Sequence, residues 1–216
     1  MNEALNAQQR HWDETFSETA DMFGAKASEP ARDAAELLKK EGKKRILELG
    51  GGQGRDTLFF AGNGFQVDVL DYSEAGVNSI MEKAAQSGLS ALVAAQSHDV
   101  RKPLPFADKT FDACYSHMLY CMALTTSELE ALSREVLRVL RPNGLHVYTV
   151  RNTNDFHYGK GIHRGEDLYE FGGFVVHFFS MQKVEQLAKG YELLSVDEFE
   201  EGTLPRKLFR VTLRKG

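Results

Sequence analysis

Residues 46–73 read ILELGGGQGRDTLFFAGNGFQVDVLDYS, and the fold class follows from them. The largely apolar run at 45–49 is typical of a short buried strand, and four glycines follow within positions 50–54. Residues 55–61 have the apolar spacing of a helix, and 65–70 alternate in the manner of a second strand. Strand, glycine-rich turn, helix and strand together predict a βαβ unit with parallel strands.

The same alternation of helix and strand continues through the rest of the chain. Further helices are predicted at about 3–16, 29–41, 73–86, 126–141 and 180–189. The helix at 126–141 is expected to begin with a capping box of Ser127 and Glu130. Further strands are predicted at 91–95, 111–117, 145–150, 173–179, 192–199 and 208–213, and the last two should form an antiparallel pair. The pattern predicts an α/β fold, a Rossmann-like doubly wound, mostly parallel seven-stranded sheet with an antiparallel last strand and an N-terminal helical cap.

One domain is predicted for residues 1–216, with the helical cap at 1–42. The segment 152–172, NTNDFHYGKGIHRGEDLYEFG, interrupts the alternation with glycines, charges and aromatic residues. Because it is too polar for a central strand, we expect a long loop inserted near the substrate site.

The composition and net charge of the chain limit the kinds of partner that we expect. Hydrophobic residues make up 42% and charged residues 26% of the chain, as in an ordinary soluble globular protein. The net charge of −5 disfavours a nucleic-acid partner, which requires a clustered basic surface. Cys114 and Cys121 lack the paired spacing of a zinc site or a disulfide framework, and no apolar stretch approaches the length of a membrane span. We therefore expect a cytoplasmic protein with a small-molecule substrate, no membrane partner and no metal, while the oligomeric state stays open.

The glycine turn does not fit two common phosphate-binding motifs. The dinucleotide pattern G-x-G-x-x-G requires a third glycine where Arg55 or Thr57 stands. A P-loop would continue with Gly-Lys-Ser/Thr, which does not follow this turn. The spacing present is E-x-G-x-G-x-G, formed by Glu48, Gly50, Gly52 and Gly54.

That spacing resembles motif I of the class I S-adenosylmethionine-dependent methyltransferases, in which the turn lies under the methionine and ribose of the cofactor. In that family an acid ending the second strand binds the ribose hydroxyls, and Asp71 in VDVLDYS matches it. SHDV at 97–100 resembles the segment that reads the adenine, and EVLRVLRPNGLHVYTV at 135–150 resembles the helix, turn and strand after strand four. The resemblance implies S-adenosylmethionine as cofactor, held by Glu48, Gly50, Gly51, Gly52, Gly54, Asp71, Tyr72, Ser73, Asp99, Val100, Ser116, His117 and Met118.

Finer features point to a subgroup. HWDETFSETADMFG at 11–24, GGGQGRDTLF at 50–59 and FVVHFFS at 174–180 resemble the tellurite-resistance and thiopurine or thiol methyltransferases, which act on small soft nucleophiles. SHMLYCM at 116–122 stands where nucleic-acid amino methyltransferases carry N/D-P-P-Y/F, which counts against a base as acceptor. The family often has cysteine or serine at the position of Gly51, and glycine there is expected to leave the turn looser.

The residues expected to face the methyl acceptor follow the fourth and fifth strands. His117 and Tyr120 are the candidates for a catalytic base, which an amine or hydroxyl acceptor would need and a thiol or chalcogen oxyanion would not. His117 could instead pack beside the cofactor, and Arg151 could bind an acidic substrate group or form a plain ion pair. The predicted substrate contacts are Tyr120, Arg151, His157 and Tyr158.

Two questions stay open from the sequence. The aromatic residues Trp12, Phe16 and Phe23 belong either to a lid over the cofactor or to a helix that fills the outer core. The leading hypothesis is methyl transfer to a small molecule. The alternatives are a methyltransferase for RNA or protein, a non-catalytic S-adenosylmethionine-binding protein, and an NAD-dependent oxidoreductase whose glycine spacing has drifted.

Overall fold

The computed structural model describes residues 2–202 and 206–216, with side chains from residue 7 onward. Within this part of the chain, the helices are α1 (Asn2–Glu18), α2 (Glu29–Lys40), α3 (Arg55–Gly62), α4 (Glu74–Gln86), α5 (Thr126–Val139) and α6 (Met181–Leu187). The strands are β1 (Arg45–Leu49), β2 (Gln66–Asp71), β3 (Val93–Ser97), β4 (Phe111–His117), β5 (Leu140–Arg151), β6 (Ile162–His163), β7 (Leu168–Phe171), β8 (Phe174–His177), β9 (Tyr191–Glu201) and β10 (Arg206–Lys215).

Seven of the described strands form one sheet in the order β3-β2-β1-β4-β5-β10-β9. Strands β1 to β5 pair in parallel, and β10 lies antiparallel between β5 and β9. The prediction of a mostly parallel α/β sheet closed by an antiparallel strand is therefore confirmed. Because parallel strands end at the same edge, the carboxyl ends of β1, β2, β3, β4 and β5 lie side by side.

Helices cover both faces of this sheet. Ile46 and Leu47 are neighbours on β1 and point to opposite faces, where they join two different buried clusters. One cluster includes Phe60 of α3, and the other includes Val136 of α5 and Val184 of α6. The amphipathic helices therefore bury their apolar sides on a sheet that is apolar on both faces, which is the doubly wound arrangement that the sequence predicts.

Two local predictions are wrong by a shift along the chain. The third strand begins two residues later than expected, at Val93. The capping box of α5 consists of Thr125 and Glu128 instead of Ser127 and Glu130. The Thr125 hydroxyl accepts the Glu128 backbone N–H, and the Glu128 carboxylate accepts the Thr125 N–H at 2.7 Å.

The segment after β5 holds a second, three-stranded sheet in the order β6-β7-β8. The strand predicted at 173–179 is β8 (Phe174–His177), which belongs to this small sheet and not to the main sheet. The loop expected at 152–172 contains β6 and β7. Gly172 and Gly173 have φ values of 58° and 83°, which a tight two-residue turn requires, and they pair β7 with β8 as a hairpin.

The hairpin and α1 meet above the carboxyl edge of the main sheet. The side-chain amide of Gln8 donates to the carbonyl of Gly173 at 3.0 Å and accepts the N–H of Val175 at 3.0 Å. The Trp12 ring lies 4.8 Å from the Phe174 ring. The predicted helical cap is present, and α1 is the part of it that covers this edge, while α2 packs on a face of the sheet.

Candidate active site

A cavity of about 310 Å³ opens at the carboxyl edge of the main sheet. Its walls come from the β1–α3 turn, the ends of β2 and β3, the residues after β4, the end of β5, α1 with the residues after it, and the β7–β8 hairpin. This is the edge where doubly wound folds bind ligands. The cavity has the size of a small-molecule site, for which volumes of roughly 300 to 1,000 Å³ are typical.

The glycine turn forms the floor of the cavity. Gly50 and Gly52 have φ values of 75° and 55°, which favour glycine. A Cβ on Gly50 would lie 2.8 Å from the Cβ of Leu119, so a larger residue there would collide with the wall after β4. The floor therefore consists of bare backbone that a ligand can approach closely.

Gly51 corrects the expectation of a looser turn. A Cβ at this position would lie 2.5 Å from Cγ1 of Val69 and 3.1 Å from Cδ1 of Ile80. The turn is packed tightly against β2 and α4, and a cysteine or serine would require both neighbours to move.

Asp71 ends β2 beside the turn and is 4% exposed. Its carboxylate accepts the backbone N–H groups of Gly52 at 2.8 Å and Ser73 at 2.9 Å. Burial raises the pKa of Asp71 to about 6, although these N–H groups act in the opposite direction. The carboxylate also lines the cavity, where its remaining lone pairs can accept the two hydroxyls of a ribose.

Glu48 is the second buried acid of the turn. It is 3% exposed and accepts the hydroxyl of Thr57 at 2.5 Å. Burial, and then the charge of Asp56, raise the pKa of Glu48 to about 8. Three carboxyl groups, Glu48, Asp56 and Asp71, thus surround the glycine turn, and this arrangement favours a positively charged ligand.

Tyr72, Asp99 and Val100 line the side of the cavity where the resemblance puts the adenine. Nε of Arg101 lies 3.0 Å from both carboxylate oxygens of Asp99, and Nη2 lies 2.8 Å from Oδ2. Burial raises the pKa of Asp99, but the bonds from Arg101 outweigh it and hold the pKa below its usual value. The acid is therefore charged and fixed in orientation.

His117 and Met118 lie on the cavity wall at the end of β4. Nδ1 of His117 is 2.8 Å from the hydroxyl of Thr149, and Nε2 is 3.4 Å from the carboxylate of Glu201. Burial alone would raise the pKa of Glu201. The bond with His117 and the nearby charges of Arg55 and Arg206 outweigh burial and hold this pKa below its usual value. The ring is therefore held between a hydroxyl and a carboxylate.

Sequence reasoning did not find Glu201 or Thr149. Thr149 is the register partner of His117 on β5, and Glu201 ends β9, the edge strand of the sheet. Alternation on β5 could have identified Thr149. Glu201 stands in an acidic run without a motif, and only the pairing of β9 with β10 brings it to the site.

Tyr120 lies in the core and not on the cavity wall, where the sequence prediction placed it. Its side chain is fully buried and stacks on Tyr148 with 4.7 Å between the ring centroids. His146 packs against both rings in the core below α5. The apolar run after β4 turns this residue inward, so it does not line the cavity.

Three residues predicted to contact the cofactor lie behind the cavity wall and do not line the cavity. The Ser116 hydroxyl donates to the carbonyl of Leu49 at 3.1 Å. Ser73 caps α4 and donates to Asp13 of α1 at 2.6 Å. Gly54 is the N-cap of α3 with φ of 90°.

His157 and Tyr158, predicted as substrate contacts, also lie outside the cavity. The His157 ring stacks on Phe171, and its Nδ1 accepts Nη2 of Arg151 at 2.8 Å. Tyr158 is exposed and donates its hydroxyl to Asp167 at 3.0 Å. The turn formed by residues 153–161 carries both side chains away from the cavity.

Arg151 does line the cavity, but it is already paired. Its Nε and Nη2 atoms lie 3.2 Å and 2.5 Å from the carboxylate of Asp155. The side chains of the pair are 5% and 0% exposed. Of the two roles that the sequence left open, the ion pair is the one observed.

The described residues contain no cluster of three or more His, Cys, Asp or Glu side chains arranged to hold a metal ion. In residues 2–202 and 206–216, no helix has both the length and the apolar character that a membrane crossing requires.

Comparison with known proteins agrees with the geometry. Residues 46–144 match the family model described as a methyltransferase domain. No curated protein sequence matches the chain significantly. The fold is shared with the 1,6-didemethyltoxoflavin-N1-methyltransferase of Burkholderia thailandensis, solved with bound 1,6-didemethyltoxoflavin and S-adenosylhomocysteine, at a TM-score of 0.77 and 16% identity over 99% of this chain and 89% of that one.

Two further structures share the fold. A S-adenosylmethionine-dependent methyltransferase of Methanosarcina mazei has a TM-score of 0.67 and 21% identity, covering 80% of this chain and 92% of that one. TehB of Haemophilus influenzae has a TM-score of 0.70 and 16% identity, covering 95% of this chain and 67% of that one. The methyltransferase domain matched over residues 46–144 and the fold shared with these enzymes support an S-adenosylmethionine-dependent methyltransferase, with S-adenosylmethionine as its cofactor.

Proposed function

We propose that this enzyme transfers the methyl group of S-adenosylmethionine to a small-molecule acceptor. The observation that carries the proposal is the roof of the cavity. Trp12 and Phe16 of α1 and Phe171 and Phe174 of the hairpin all line it, so an acceptor must fit beneath two packed elements. A folded protein or a structured RNA would need an open approach to the methyl group. The net charge of −5 also favours a small acceptor over a nucleic acid.

The residues of the cavity suit the three parts of the cofactor. The carboxylate of Asp71 would hold the ribose, and the wall formed by Tyr72, Asp99 and Val100 would hold the adenine. The glycine turn and Glu48 would lie beside the positively charged methionine end. S-adenosylmethionine supplies a methyl group already activated by the sulfonium charge. The protein therefore has to align donor and acceptor, which contributes roughly 7 to 11 kcal/mol in favourable cases.

His117 is the residue that we propose to handle an acceptor proton. Its ring is fixed by Thr149 and Glu201, and the Glu201 carboxylate would stabilise the protonated imidazole. An amine or hydroxyl acceptor needs this step. A thiol that ionises near neutral pH does not, and for such an acceptor His117 would only pack beside the cofactor.

The remaining assignments are also proposals. The toxoflavin enzyme binds a small heterocycle and shares the fold over nearly the whole chain, which supports a small acceptor. The TehB-like fold and the sequence resemblance support membership of the thiol and tellurite subgroup. We propose one domain over residues 1–216, with the cap at 1–42 and the insertion at 152–172. Two buried free cysteines, Cys114 and Cys121, support a cytoplasmic location.

Turnover with methyl-labelled S-adenosylmethionine tests the proposal. Small thiols, heterocyclic amines, selenite and tellurite should be assayed beside bulk RNA and a denatured protein mixture. We expect label to enter at least one small acceptor and neither polymer. Label that enters RNA or protein while every small molecule stays unlabelled would contradict the proposal.

A further inference from the structure

The part of the cavity beyond the cofactor residues has an apolar lining. We call it the apolar wall, and it comprises Trp12, Met122, Leu124, Phe171, Phe174 and Val176. These residues come from α1, the segment after β4, and the β7–β8 hairpin. Three of them carry aromatic rings, and the Trp12 and Phe174 rings are in contact at 4.8 Å.

Three of the four arginines that line the cavity are paired with carboxylates. Arg101 is bonded to Asp99, Arg55 lies 3.2 Å from Asp56, and Arg151 is paired with Asp155. The fourth, Arg206, forms no ion pair with the described residues, and its charge acts on Glu201. The cavity therefore offers an acceptor little net positive charge, because acids neutralise the cations within its own walls.

Arg151 is the arginine closest to the apolar wall. Its guanidinium lies 5.4 Å from the Phe171 ring and 5.1 Å from the Phe178 ring. Its partner Asp155 also accepts the backbone N–H groups of His157 and Lys207. An anion that drew Arg151 away would leave the Asp155 carboxylate buried without its countercharge, which is strongly unfavourable.

The apolar wall and the arginines paired with carboxylates favour an uncharged acceptor over an anionic one. An oxyanion or carboxylate would lose its hydration against apolar side chains, and the arginine beside this wall, Arg151, is already paired with Asp155. An uncharged ring system would bury its apolar surface and stack against the aromatic side chains. We propose that the methyl acceptor is an uncharged, flat, largely apolar molecule bearing a nitrogen or thiol nucleophile, bound between the apolar wall and the cofactor. This assignment rests on the proposed function and names its substrate class.

The single tryptophan of the chain gives a direct readout of the apolar wall. Trp12 labelled as 5-fluorotryptophan yields one fluorine NMR resonance, which a ligand in the cavity should shift. The protein is first saturated with S-adenosylhomocysteine and then titrated with 2-naphthol, 2-naphthoate and selenite. The first two probes share one ring system and differ in charge.

We expect 2-naphthol to shift the resonance saturably and at concentrations about tenfold lower than 2-naphthoate, with no shift from selenite. Phe174→Ala should weaken 2-naphthol binding about tenfold, because it removes a ring from the apolar wall. Phe156→Ala is the matched control, since this phenylalanine of the insertion at 152–172 is 70% exposed and outside the cavity. It should leave binding unchanged.

Asp155→Asn keeps the shape of the side chain and frees the charge of Arg151. We expect it to strengthen 2-naphthoate binding about tenfold relative to 2-naphthol. If this variant does not fold, the comparison of 2-naphthol with 2-naphthoate on the wild-type protein still tests the proposed acceptor class.

The proposed acceptor class would be overturned if 2-naphthoate or selenite bound to the wild-type protein more tightly than 2-naphthol. It would also be overturned if 2-naphthol did not shift the Trp12 resonance. Either result can occur while S-adenosylhomocysteine binds and a small acceptor is methylated. Methylation of polymers alone would instead contradict the proposed function.

Discussion

At the scale of single residues, the site depends on buried carboxyl groups whose protonation responds to charge. Glu48 has a pKa of about 8 because burial and the charge of Asp56 oppose its ionisation. The charge of Asp71 also raises the pKa of Glu48. Arg55 and the hydrogen bond from the Thr57 hydroxyl lower this pKa, because they favour the ionised carboxylate. A cationic ligand beside the Glu48 carboxyl group would therefore favour its ionised form and cause it to release its proton.

The first prediction concerns that proton. At about pH 7.5, Glu48 is largely protonated and Asp71 is largely ionised, so binding of S-adenosylmethionine should release a fraction of a proton from Glu48. Calorimetry in two buffers of different ionisation enthalpy measures the release. Glu48→Gln should bind the cofactor with no release near this pH. The same proton release from the variant as from the wild-type protein would contradict this assignment.

The same shift has a consequence for folding. The pKa of Glu48 is raised in the folded protein, so the unfolded chain loses this proton at lower pH. Stability without cofactor should therefore fall as pH rises from about 4.5 to 8, by up to a few kcal/mol. In thermal unfolding, Glu48→Gln should gain stability relative to the wild-type protein at about pH 9 and match it near pH 4. An equal gain at both pH values would contradict the titration.

The second residue-scale prediction follows from the correction of Tyr120. Tyr120→Phe keeps the ring that stacks on Tyr148 and removes only the hydroxyl. We expect turnover and cofactor affinity to stay within about twofold, and the free energy of unfolding to change by about 1 kcal/mol. A loss of about a hundredfold in turnover with intact cofactor binding would restore Tyr120 as a catalytic residue.

At the scale of elements, α1 contributes to the wall of the cavity that we propose for the cofactor. The sequence left α1 open between a lid and an outer-core helix, and in the structure its aromatic residues both pack together and line the cavity. Gln9 donates to the carbonyl of Tyr72, and Asp13 accepts the Ser73 hydroxyl and the Ala75 N–H. The helix is thus bonded to the residues that immediately follow Asp71.

We predict that deletion of residues 1–25 weakens S-adenosylhomocysteine binding at least about tenfold, because the cavity loses its roof and becomes hydrated. Calorimetry on the folded truncated protein measures the change. A matched point test is Trp12→Ala against Glu14→Ala, since Glu14 is exposed on the same helix. Unchanged affinity in the truncated protein would show that α1 is only a packing element.

At the scale of the whole molecule, the half of the site that binds the cofactor was predictable and the other half was not. Glu48, the glycines and Asp71 lie within 24 consecutive residues, on one βαβ unit whose pattern fixes the geometry. The apolar wall combines Trp12 with residues of the β7–β8 hairpin, which are far away in sequence.

The errors have the same physical origin. Tyr120 was placed by its distance from β4, but its direction depends on the packing below α5. The strand at 173–179 was recognised by its apolar residues, but these do not say which sheet it joins. The main-sheet strands, by contrast, were found to within two residues, except that β5 begins at Leu140, five residues before the predicted start, with an exposed stretch at 141–143 that carries no apolar run.

The most direct test of the cofactor site is calorimetric titration of S-adenosylhomocysteine into the wild-type protein, Asp71→Asn and Asp68→Asn. Oδ2 of Asp71 accepts the Gly52 N–H and Oδ1 accepts the Ser73 N–H, so the amide oxygen of Asn can keep only one of these bonds, and the charge that we propose to hold the ribose is lost. Asp68 lies on the same strand and pairs with Arg45 instead. We predict micromolar binding to the wild-type protein and to Asp68→Asn, and binding about tenfold weaker or more for Asp71→Asn. Equal affinity for all three proteins, or binding of NAD in place of S-adenosylhomocysteine, would contradict a cofactor held by the glycine turn and Asp71.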